Sequence, residues 1–143
     1  MDADKHFFIA VPLGGIVWWM TGNIPAGVTA FAAHFLIDID HFFDYFFNHG
    51  FGKLDLRLSH FFKVCNCTEF TKLFLFLHSY ELAVILSIMY FYYKNLYLGA
   101  FLIGFLLHLI LDTAFNRVSK CGYFFVYRWK MRFNANKIFS GLI

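Results

Sequence analysis

From Phe7 to Ala33 the chain carries no charged residue and no histidine. A run of that kind has to find an apolar environment, and few folds offer one along so much chain. It is interrupted once, at Thr21-Gly-Asn-Ile-Pro25, where Gly, Asn and Pro together signal a turn. The pattern predicts two helices, over about 4–21 and about 26–47. Two later apolar stretches predict helices over about 72–93 and about 96–116, joined by a tight turn at Lys94-Asn95.

Composition says what surrounds these helices. Hydrophobic residues make up 60% of the 143, charged residues 15%, and Phe alone occurs 22 times. A soluble domain is closer to about half apolar and about a quarter charged. One small core cannot hide this much apolar surface, so lipid is the expected solvent, and disorder is excluded by the same numbers. The reading is an all-α integral membrane bundle of about four helices, in a single domain over 1–143. The first helix is marginal as a span: its purely apolar part, Phe7–Met20, falls short of the ~20 residues a crossing needs. Pro12 and Gly14-Gly15 predict a kink within it. Met1-Asp-Ala-Asp-Lys-His6 lacks the positive start of a secretory signal, so His6 is expected to remain in the mature protein.

Residues 48–71 are the one polar loop, with a short amphipathic helix expected around Leu54–Phe62. The loop and its edge hold Lys53, Arg57, Lys63 and Lys72. The tail, 117–143, holds Arg117, Lys120, Arg128, Lys130, Arg132 and Lys137, while the opposite turns hold only Lys94. Lys and Arg favour the cytoplasmic side, which puts both termini and the loop there. The basic, aromatic tail reads as a surface flank beside anionic lipid, and no nucleic-acid partner is expected. Cys65, Cys67 and Cys121 are odd in number, and Cys65 and Cys67 sit too close for a zinc knuckle, so they read as unpaired thiols.

Ionisable groups inside apolar spans are costly and mark function. Here they are His34, Asp38, Asp40, His41 and Asp44 on the second helix, His78 and Glu81 on the third, and His108 and Asp112 on the fourth. Given the orientation, nearly all of them fall toward the cytoplasmic ends of their helices, and His6 precedes the first helix on that side. His108 and Asp112 are four apart, so they share a helix face and suit a common metal, or a carboxylate that orients an imidazole. His34, Asp38 and His41 share one face of the second helix, and Asp40 and Asp44 another. Imidazole with carboxylate suits zinc, manganese or iron better than soft copper. The bland alternatives are a hydrogen bond to a neighbouring helix for His34 and a snorkelling acid for Glu81. His49 and His60, in the polar loop, read as solvated. Paired histidines would also suit a haem, but bis-His haem sites need no carboxylate, and three Asp within Asp38–Asp44 argue against one.

Leu36-Ile-Asp-Ile-Asp-His41, the early His6, His78-Ser79 and Gly104-Phe-Leu-Leu-His-Leu-Ile-Leu-Asp112 occur in the order of a known family's hallmarks. On these residues the chain resembles the YdjM-like, LexA-binding, inner-membrane metal-dependent hydrolases. Tyr127-Arg-Trp-Lys-Met-Arg132 is similar to that family's ending. Two positions depart from the pattern: Ile37 stands where the family has Pro, and Leu73-Phe-Leu-Phe-Leu77 replaces an HRGxT segment. The resemblance implies a bacterial-type inner membrane, one or two divalent ions with zinc foremost, and a cytoplasmic-side site. It also implies hydrolysis of a phosphoester in a lipid or other membrane-proximal small molecule. Candidate ligands are His6, Asp38, Asp40, His41, His78, His108 and Asp112, with Glu81 or His34 as base or orienting group. By the family's more distant likeness to zinc-dependent phospholipase C and P1 nuclease, Asp40, His78, His108 and Asp112 would hold one metal. Asp112 would then bridge to a second metal near His6. The alternative is a haem-binding membrane protein or, as the replaced HRGxT segment allows, a catalytically inactive metal-binding one. The sequence does not set the oligomeric state.

Overall fold

Helix boundaries at the two short turns follow from local chemistry. In the computed structural model, which describes residues 3–49, 71–116 and 120–139, helix α1 (Ala3–Thr21) ends at Gly22 and α2 (Ile24–Leu36) begins two residues later. Gly22 takes a left-handed φ of 63° and its N–H bonds Trp18 O at 2.8 Å, closing α1. Asn23 caps α2, its Oδ1 accepting the Ala26 N–H at 3.0 Å, and Pro25 sits in the first turn, where its missing N–H costs nothing. Asn95 does the same for the later pair: its Oδ1 accepts the N–H groups of Tyr97 and Leu98 at 2.9 and 3.1 Å. That cap separates α4 (Tyr80–Tyr93) from α5 (Leu96–Phe115).

All regular elements among the described residues are helical; the one β feature is an isolated bridge between Lys72 and Asn134. The chain divides into two compact units, one from Met1–Ile37 with Tyr80–Asn116, the other from Asp38–Ser79 with Arg117–Ile143. In the first unit α1 packs on α2, and α2 and α4 pack on α5. Small residues let the backbones approach: a Cβ on Gly27 would lie 2.6 Å from Gly14 O, and one on Gly104 only 2.3 Å from Ala30 O. Only α5, among the described residues, is long and apolar enough to cross a membrane by length and composition. With 13 and 14 residues, α2 and α4 fall short of the ~20 expected of a span.

Three sequence expectations are revised. The helix expected over 26–47 is broken by a 3₁₀ turn, Ile37–Ile39, and resumes as α3 (Asp40–His49). The helix expected over 72–93 starts only at Tyr80. Residues 73–78 stay non-helical because their backbone groups are taken by other partners: Asp44 Oδ1 accepts the Phe74 N–H at 2.7 Å, Asp40 Oδ2 accepts the Leu77 N–H at 2.6 Å, and Phe133 O accepts the Leu73 N–H at 2.8 Å. Finally, the tail is not a mere surface flank. It folds into a 3₁₀ turn (Lys120–Tyr123), α6 (Phe125–Lys130) and α7 (Ala135–Phe139), with Tyr123, Arg128, Ala135 and Ile138 fully buried. Cys121 is an exposed free thiol. The helix expected at 54–62, His60, Cys65, Cys67 and the His49 side chain lie outside what is described.

Candidate metal centre

In the second unit the site is built on the 3₁₀ turn, the first turn of α3 and the non-helical segment before α4. Asp38 and His41 are three apart across the turn, with Asp38 Oδ1 3.8 Å from His41 Nε2 and 3.6 Å from His78 Nε2. One ligand atom from each of the three lies within 4.8 Å of the others. Ligands around a small tetrahedral ion at about 2.0–2.1 Å are separated by roughly 3.3 Å, so the triad is close to a closed two-imidazole, one-carboxylate set. Asp38 and His41 keep 19% and 24% of their side chains exposed, so the triad is not sealed.

Asp40 meets His78 at its other ring nitrogen. Its Oδ2 lies 3.3 Å from His78 Nδ1 and also accepts the Leu77 N–H, so it orients the imidazole whose other nitrogen faces Asp38. Asp40 Oδ1 is buried with no hydrogen-bond partner among the described residues, as is Asp44 Oδ2. Burial pushes Asp44 up from an ordinary 3.8 to about 7, against the Phe74 N–H bond that pulls it down; α3 lies outside the one helix among the described residues that qualifies as a span.

Arg128 is the residue that sequence reasoning missed as part of this site. Fully buried, it donates to Leu75 O at 2.7 Å, His78 O at 2.9 Å and Gly122 O at 2.6 Å. Those bonds hold the turn that presents His78, including Leu75 at a left-handed φ of 44°. The tail's basic residues looked alike in sequence, and nothing in their spacing singles out Arg128.

The first unit gathers His6, His34, His108 and Asp112, all buried. His6 Nε2 lies 3.0 Å from Asp112 Oδ1, and His6 Nδ1 lies 3.4 Å from His34 Nε2. His108 Nε2 is 3.5 Å from Asp112 Oδ2, which realises the shared helix face expected of that pair. Gly104, four residues before His108, accepts a hydrogen bond from His34 Nδ1 at 3.2 Å, while His108 Nδ1 donates to His34 O at 2.7 Å. Glu81 lies half-buried in the first turn of α4 and belongs to neither cluster. The expected ligands thus gather as Asp38, Asp40, His41 and His78 in one unit and His6, His108 and Asp112 in the other. Buried His and Asp groups at metal-binding distance are what the structure establishes. Compared with family models, curated proteins and solved structures, the chain matches none.

Proposed function

We propose that this chain is a membrane-embedded, metal-dependent hydrolase of a phosphoester, acting on a lipid or another membrane-proximal small molecule. The observation that carries the reading is the Asp38–His41–His78 triad, partly open to solvent, with the Asp40 carboxylate held against His78. The donor set fits a borderline divalent ion, with zinc foremost. Such an ion, when bound, polarises a phosphoryl oxygen and activates water. The chain's own residues do the rest. Asp40 fixes the His78 ring, and Arg128 fixes the backbone that carries it. Asp44, whose burial raises its pKa to about 7, suits acceptance and return of a proton.

The membrane setting is supported by α5 and by the large apolar side chains that the first unit leaves exposed, among them Trp19 at 84% and Phe91 at 75%. In this reading both termini face the cytoplasm of a bacterial-type inner membrane. Reporter fusions at Lys94 and the C-terminus should report opposite sides. The motif order resembling YdjM-like hydrolases supports the same class. Leu73–Leu77 in place of HRGxT favours the second reading, a metal protein without catalysis.

The test is chelator-sensitive hydrolysis by detergent-purified, zinc- or manganese-loaded protein against phospholipid and nucleotide phosphoesters. Turnover is expected for the wild type and loss to background for Asp38→Asn and His41→Ala. No chelator-sensitive turnover on any substrate would leave the second reading standing.

A further inference from the structure

Three imidazoles from three helices meet in the first unit: His6 from α1, His34 from α2 and His108 from α5. One ring nitrogen of each lies within 4.8 Å of the others. We infer that they form a tris-imidazole site for a borderline transition ion such as zinc or cobalt, with His34 as a ligand and Asp112 as the group that orients His6.

The hydrogen bonds fix which nitrogen of each ring is available. A carbonyl oxygen can only accept, so the ring nitrogen facing it carries the proton. His34 Nδ1 faces Gly104 O at 3.2 Å and His108 Nδ1 faces His34 O at 2.7 Å, so both rings carry their lone pair on Nε2, which in His108 also lies 3.5 Å from Asp112 Oδ2. For His6, Nε2 faces Asp112 Oδ1 at 3.0 Å, which assigns Nδ1 to the ion, and that atom already lies 3.4 Å from His34 Nε2. Each ring's remote N–H is thereby satisfied, two by main-chain carbonyls and one by a carboxylate. Metal-binding histidines almost always donate their other N–H in this way. A lone buried His bonded to a neighbouring helix needs one such contact, not three rings with a nitrogen of each within 4.8 Å of the others.

The surrounding packing is built to the same end. Gly104 has no room for a side chain, since its Cβ would meet Ala30 O and the His34 N at 2.3 and 3.0 Å. That close approach is what brings the His34 ring within reach of the Gly104 carbonyl and the His108 ring within reach of the His34 carbonyl. The His6 and His108 rings stack with centroids 4.0 Å apart, so taking up an ion requires the His6 ring to tilt. All three rings are fully buried, and three protein nitrogens leave one coordination position vacant.

This inference does not depend on hydrolysis, and its test counts ions. Elemental analysis and cobalt absorption are measured on the purified full-length chain and on variants of each cluster. A His41→Ala/His78→Ala double variant, which leaves the first unit untouched, should still hold one equivalent, with the intense visible bands of low-coordinate cobalt. His34→Ala should hold one equivalent fewer than the wild type. A double variant that binds no ion overturns the proposal, as does a folded His34→Ala that binds as many as the wild type. The double variant keeps the test decisive even if His34→Ala fails to fold.

Discussion

The two clusters draw on the same residue types and build opposite environments. In the first unit the histidines stand on long helices, are fully buried, and turn their remote nitrogens mostly to main-chain carbonyls. In the second, Asp38 stands on a 3₁₀ turn, His41 in the first turn of α3 and His78 on a non-helical segment; a carboxylate and Arg128 brace His78, and part of Asp38 and His41 stays in reach of solvent. Helices joined through glycine leave no space beside their side chains, whereas a segment held by side-chain hydrogen bonds presents its groups at an edge. Donor chemistry alone does not separate an enclosed ion site from an open one. The backbone beneath it does.

The largest effect should come from the brace. Arg128→Met would strand the carbonyls of Leu75, His78 and Gly122, at ~1–3 kcal/mol each when buried. A loss on the order of 3–5 kcal/mol is expected, read as a lower thermal midpoint together with loss of the second unit's ion. An unchanged midpoint would show that the segment does not rely on Arg128.

Asp44 tests the same unit through pH. Its pKa is raised, so its contribution to stability is full below about 4, the ordinary carboxylate range, and is lost as pH rises through about 7. Metal-free wild type should therefore lose stability between about pH 4 and 7, by an amount on the order of a few kcal/mol. Asp44→Asn, neutral throughout and still able to accept the Phe74 N–H, should not. Parallel pH profiles for the two proteins would contradict the burial argument.

Asp40→Asn keeps the shape while weakening the brace on His78. Metal affinity or turnover should fall by ~10–100-fold without loss of fold, the usual cost of removing a group that orients a ligand. Equal affinity in wild type and variant would return Asp40 to a purely structural role.

Glycine substitutions give the smallest effects and sharpen the contrast between units. Gly104→Ala should cost ~1–3 kcal/mol by forcing α2 from α5, and should weaken ion retention by the three imidazoles while sparing the second unit. Gly15→Ala, with nothing within 4 Å of the new Cβ, should be neutral or slightly stabilising.

Much of this was legible in residue order. The turns at Gly22-Asn23 and Lys94-Asn95 fall where glycine and asparagine place them, because both are local capping chemistry. The His108–Asp112 pair meets as helical spacing requires. The break after Leu36 was not legible: His34, Asp38 and His41 read as one helical face, and the 3₁₀ turn leaves only Asp38 and His41 together, with His34 joining His6 and His108. Nor was the late start of α4, since Leu73–Leu77 is an apolar stretch compatible with a helix. Its true state is decided by Asp40, Asp44 and Arg128, which lie some 30 to 50 residues away in sequence and capture its backbone. Long-range hydrogen bonds of this kind leave no periodic trace.

The claim that the Asp38–His41–His78 triad is the open site can be tested through cobalt-substituted protein titrated with inorganic phosphate. An ion with an accessible position should change its visible absorption as phosphate binds. The account predicts that change in the wild type and in His34→Ala, and its absence in His41→Ala. A phosphate response that persists in His41→Ala, or that disappears only in His34→Ala, would contradict it.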